Sequence, residues 1–138
     1  MIQGTGAVRA GMWARSACVD DSLEIGSMLP QIEWAVSNSI PVLVMNPNEN
    51  SSTMSEHSCF VWENYISKSR FKNLFVIAHS AGGACIMSIQ ESFPESFFSQ
   101  VSKIAFTDSW VIQKDKLFNK NHQKWYQNNA VHYIASND

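Results

Sequence analysis

The apolar run Asn73-Leu-Phe-Val-Ile-Ala78 passes through His79-Ser80-Ala81-Gly82-Gly83 straight into a helical stretch from Ala81 to Glu91. A short buried strand handed to a helix by a turn of small residues is the joint of a parallel sheet. It places the chain in the α/β class. Other segments agree. Pro41–Met45 and Lys103–Thr107 read as further short apolar strands, and Val131–Ala135 as another. Helices are expected from Ser27 to about Asn38 and from Glu56 to about Ser67, the latter burying Phe60, Val61, Trp62 and Tyr65. Lys114 to Gln127 is polar and weakly helical. Apolar strands without alternation imply helices on both faces of the sheet; the alternative is an antiparallel α+β domain.

A chain of 138 residues suits one domain, here residues 1–138. Its 16% of charged residues falls below the roughly 25% usual for soluble domains, which implies a surface to be covered by further chain or by a partner. A net charge of −2 excludes a strongly basic nucleic-acid or membrane binder, so no direct nucleic-acid binding is expected. The apolar runs are far shorter than the roughly 20 residues of a membrane helix. Cys18, Cys59 and Cys85 are odd in number and widely spaced, against a disulfide framework or structural zinc. The N-terminus lacks a secretory pattern, so the sequon Asn50-Ser51-Ser52 reads as chance and the protein as intracellular. No metal or cofactor is expected.

Ala78-His79-Ser80-Ala81-Gly82 fits the nucleophile elbow G-x-S-x-G with alanine for the first glycine. A serine at so tight a turn takes a strained backbone conformation that lifts its hydroxyl above the sheet. The residues two before and two after must be small, because strand and helix backbones approach there. The amide of Ala81 then offers a donor to a developing oxyanion. Upstream, Gln3-Gly4-Thr5-Gly6 stands where such hydrolases carry a glycine loop with the second oxyanion donor, through Gly4 and Thr5, with glutamine in the usual histidine place. The plainer alternatives are a packing turn and a flexible terminus.

An elbow serine needs a base and an orienting acid later in the chain. Asp108 ends the next strand and is the candidate acid, although strand ends and helix caps commonly carry Asp; Asp138 is the last residue. The base is missing. His79 should project away from its neighbour Ser80, His57 precedes it, His122 falls in a polar stretch and His132 within a strand. Trp13, Trp34, Trp62, Trp110 and Trp125 are spread as packing or partner-contact residues, and Lys68, Arg70 and Lys72 as a solvated turn.

Four blocks in order, Gly4–Arg15, Pro41–Asn50, Val76–Gly83 and Ala105–Ser109, resemble the argonaute-binding protein 2 domain family, more narrowly its vertebrate cotranscriptional regulators. The resemblance implies an α/β-hydrolase-like fold and nuclear or cytoplasmic work with argonaute-type, chromatin or splicing partners in gene silencing, heterochromatin or alternative splicing. Family members have His-Gly where this chain has Gln3-Gly4, a longer charged insertion after the Asn-Pro-Asn-Glu-Asn segment, and further chain at both ends. The sequence thus reads as a truncated paralogue or pseudogene-derived product, with an incomplete sheet that is unstable alone or needs a partner. Only Ser80 and Asp108 carry over, as vestigial catalytic positions. A non-enzymatic adaptor leads, an esterase using Ser80 is the alternative, and a product without function is the third reading.

Overall fold

The structure, a computed structural model, describes residues 1–49, 52–109 and 120–136. It is an α/β arrangement around a parallel three-stranded sheet of β1 (Leu74–His79), β2 (Val101–Thr107) and β3 (Ala130–Tyr133), in the order β1-β2-β3. Parallel strands need helical crossovers. Between β1 and β2 these are α5 (Gly82–Ser92) and α6 (Pro94–Gln100), and α7 (Lys120–Asn129) leads into β3. Ahead of the sheet lie α1 (Arg15–Asp20), α2 (Leu23–Gly26), α3 (Leu29–Ser37) and α4 (Met54–Val61). This is an α/β-hydrolase-like arrangement of incomplete extent.

The chain start adds a strand stub on the free side of β1. Ile2 bridges Ala78 in parallel, its amide donating to Ile77 O (2.9 Å) and its carbonyl accepting from His79 N (3.0 Å). Pro41–Met45, expected as a ladder strand, is not one. Among the described residues its backbone bonds run to Met1: Met45 N donates to Met1 O (3.0 Å) and the terminal amine to Leu43 O (2.8 Å). Apolarity drew the segment to the sheet, but a proline at its head and one short partner leave no room for a ladder.

Alternate residues of the strands face the core. Ile104 and Phe106 of β2 and Ala78 of β1 are buried with Ile2, Cys85, Ile86, Ile89 and Phe97. Phe97 of α6 is the hub, with Trp62, Phe98 and Trp125 ringed around it at centroid distances of 5.2–5.9 Å. The other face carries Phe75, Lys103, Val131 and Tyr133, all exposed, the first three along a shallow groove of about 390 Å³.

The second expected helix is α4, capped by Thr53 and Glu56 acting reciprocally, followed by a π-helical turn over Trp62–Ile66. That wider turn rotates the register. Trp62, one α-helical turn after buried Ser58, goes inside as expected, whereas Phe60 and Tyr65, expected in the core, are 57% and 62% exposed and meet edge to face at 6.4 Å. The polar stretch from Lys114 falls partly outside the described residues, as do Trp110 and Asp138; α7 is its described part.

Candidate functional site

The joint between β1 and α5 has the geometry of an elbow. Ser80 has φ +50°, a left-handed conformation that costs a non-glycine residue roughly 1–2 kcal/mol. Its neighbours hold it there. Ser80 N donates to Thr107 O (3.0 Å), while its carbonyl accepts from Gly83 N (3.2 Å) and from Ser109 Oγ (2.7 Å). Small residues are required for a concrete reason. A Cβ on Gly82 would sit 2.7 Å from Ile2 O and 3.0 Å from Gln3 O, and one on Gly4 2.9 Å from Ser80 Cβ and 3.2 Å from its Oγ. The glycine loop is thus brought against the serine, as expected for Gly4. Thr5 and Ser80 line one open pocket of about 300 Å³ with Gly4, Trp13, Arg15 and His79. Ala81, at φ −61°, caps α5, and its amide meets no backbone acceptor among the described residues.

The loop is organised by residues that local patterns did not single out. Gln3 is fully buried, and its Nε2 donates to Val8 O (3.2 Å) and Asn46 Oδ1 (3.1 Å). Asn48 Nδ2 donates to Gly4 O (2.8 Å) and Val8 O (3.1 Å). Asn46 Nδ2 donates to Glu49 Oε2 (3.0 Å), which also pairs with Arg9 at 2.6 Å. The Asn46–Glu49 turn is therefore a clamp on the loop beside Ser80. Polar residues spaced to reach two carbonyls were its one signal.

Asp108 sits at the end of β2 as expected, itself at φ +42°. Its carboxylate is committed to backbone: Oδ1 accepts from Ala135 N (2.6 Å), and its own amide donates to Tyr133 O (2.8 Å). His132 lies on β3, and its Nε2 accepts from Ser109 N (3.1 Å). His79 lines the same pocket as Ser80, and because His79 and Thr107 are register partners its ring lies across the neighbouring strand. A carbonyl can only accept, so His79 Nδ1 donates to Thr107 O (2.9 Å), and the neutral ring carries its lone pair on Nε2. Trp13 closes that side, its ring edge-on to His79 at 6.1 Å. Among the described residues no side chain hydrogen-bonds to Ser80 Oγ. Nor does any group of three His, Cys, Asp or Glu side chains there come close enough to hold a metal ion, and no helix among the described residues is long and apolar enough to cross a membrane.

The Arb2 domain matches residues 49–138. A FAM172 family protein homolog of Caenorhabditis elegans is 41% identical over 118 residues, covering 79% of this chain and 37% of the relative. The cotranscriptional regulator ARB2A homolog of Dictyostelium discoideum is 29% identical, covering 78% and 39%. Human cotranscriptional regulator ARB2A is 22% identical, with all of this chain aligned to 48% of its length. The chain thus spans less than half of each of these relatives. No solved structure matches it. The family match extends over more than half of the chain and includes the elbow, so the protein belongs to the Arb2 domain family.

Proposed function

We propose that the chain acts as a regulatory adaptor of the cotranscriptional type its relatives are named for, in the nucleus or cytoplasm, and not as a hydrolase. Its partners on this reading are proteins: argonaute-type, chromatin or splicing factors that take part in gene silencing, heterochromatin or alternative splicing. Ser80 and Asp108 are then vestiges of a catalytic pair, and Gly4, Thr5 and the Ala81 amide the remains of an oxyanion cradle.

One observation carries the reading: among the described residues no side chain hydrogen-bonds to Ser80 Oγ, and the later acid and imidazole bond to backbone instead, Asp108 Oδ1 accepting from Ala135 N and His132 Nε2 from Ser109 N. A serine hydroxyl without a base is a poor nucleophile at neutral pH. The experiment is capture of argonaute-type partners by the wild-type chain and by Ser80→Ala. Equal capture is expected; loss of capture in the variant would overturn the proposal.

The esterase reading has one observation in its favour. His79 Nε2 is free to accept and shares the pocket with Ser80. It predicts covalent labelling of Ser80 by a fluorophosphonate, abolished in His79→Gln. Labelling of that kind would displace the adaptor reading.

A further inference from the structure

We propose that the pocket beside Ser80 is a receptor for a small organic carboxylate with an aromatic or aliphatic body, bound without chemistry; this rests on the reading of the elbow as non-hydrolytic. Three features of the pocket point to such a ligand.

The first is charge. The lining includes Arg15 and no acidic side chain. Arg15 is exposed, and among the described residues its guanidinium makes no ion pair. One planar cation at the mouth of a pocket matches one carboxylate, which it can grip through two parallel N–H donors. The second is the apolar wall. Trp13 stands edge-on to His79, and its Nε1 donates to Gln31 Oε1 (3.2 Å), so the indole is fixed before any ligand arrives. The segment carrying it is also anchored, since the amides of Trp13 and Ala14 both donate to Gly26 O, at 2.8 and 3.1 Å. At Gly26 the chain packs so tightly that a Cβ would lie 2.2 Å from Cys18 N. A wall held this firmly loses little entropy on binding. The third is a donor without a partner. Ser80 Oγ has none among the described residues, although its backbone is held in an unfavourable conformation at the same pocket. A hydroxyl in the same pocket as an arginine offers a carboxylate a second donor. A volume of about 300 Å³ lies at the small end of ligand pockets and suits a small ligand.

The test titrates the full chain with 4-phenylbutyrate and with the uncharged 4-phenylbutyramide, following ligand saturation-transfer signals. The carboxylate is expected to bind saturably and the amide about tenfold more weakly. Arg15→Gln should remove that difference, and Trp13→Ala should weaken both ligands together. Circular dichroism of each variant establishes that it is folded. Equal binding of acid and amide, no saturable binding, or an unchanged preference in folded Arg15→Gln would each overturn the inference. Turnover of the ethyl ester of the same acid separates it from the reading on which it rests. Hydrolysis lost in Ser80→Ala would sink the adaptor proposal and the claim of binding without chemistry. Binding without hydrolysis supports both.

Discussion

Gly82→Ala tests how the chain start and the elbow depend on each other. Residue 82 opens α5, where alanine is intrinsically favoured over glycine by up to about 1 kcal/mol. Against that stands the new methyl, 2.7 Å from Ile2 O, 3.0 Å from Gln3 O and 3.2 Å from Ile2 C. All three are backbone atoms, so no rotamer change relieves the contact. The chain start must move, and Ile2 is bonded to β1 through two hydrogen bonds. Overpacking of this kind costs roughly 1–3 kcal/mol, and weakening two backbone bonds adds about 1 kcal/mol. The net loss is expected near 2 kcal/mol, about a 30-fold fall in the folded-to-unfolded ratio. Urea denaturation followed by tryptophan fluorescence reads the total. Amide exchange at His79, whose N–H donates to Ile2 O, should accelerate in the variant. A midpoint equal to or above wild type, with unchanged exchange at His79, would refute the packing of residues 2 and 3 on the elbow.

Ser80→Gly should raise stability by about 0.5 kcal/mol in the same denaturation, because relief of the positive φ outweighs glycine's extra unfolded freedom; a drop of more than about 1 kcal/mol would mean the turn carries no strain. Gln3→Ala leaves Asn46 Oδ1 without its donor and Val8 O with Asn48 Nδ2 alone, and should cost about 1–3 kcal/mol by thermal melting, with no such cost if the clamp is incidental. Tyr126→Phe deprives buried Gln90 Oε1 of its 2.8 Å partner and should cost a similar amount by denaturation midpoint, an unchanged midpoint arguing against that anchor of α7 on α5. At the start of α4, Thr53 holds the Glu56 carboxyl below its ordinary range through backbone and side-chain hydrogen bonds. A depressed carboxyl contributes stability above its unfolded value that is lost as pH falls through the folded one, so acidification should loosen α4 in wild type and have no such effect through this site in Glu56→Gln, as read by amide exchange.

The joint from β1 through Ser80 to α5 was legible because it is local: an apolar run, two small residues flanking a serine, and a helical stretch need no distant partner to be recognised. β2 and β3 were legible for the same reason, within two residues at their ends. What escaped needed distance or geometry. The strand stub at Ile2 exists only through Ile77 and His79, far along the chain. The clamp of Asn46 and Asn48 on the glycine loop is likewise invisible to any window of neighbouring residues. α1 and α2 have six and four residues, too short for an apolar period to show. α6 begins at Pro94, a residue that reads as a break yet suits the first helical position. The outward turn of Tyr65 falls within five residues of π-helix, which no 3.6-residue count anticipates. At the site, the backbone positions of Ser80, Asp108 and Gly4 were legible; the bond of the His79 ring to Thr107 was not, since it follows from which residue of β2 stands opposite.

Ser80 is fixed from the side. Its amide and carbonyl are tied to Thr107 and Ser109, which belong to the neighbouring strand and its exit. The turn keeps its shape whether or not a proton acceptor stands opposite the hydroxyl. Drift in a lineage can therefore erase reactivity while the architecture around the serine survives intact. Enzyme classification from the pentapeptide alone will count such survivors as catalysts.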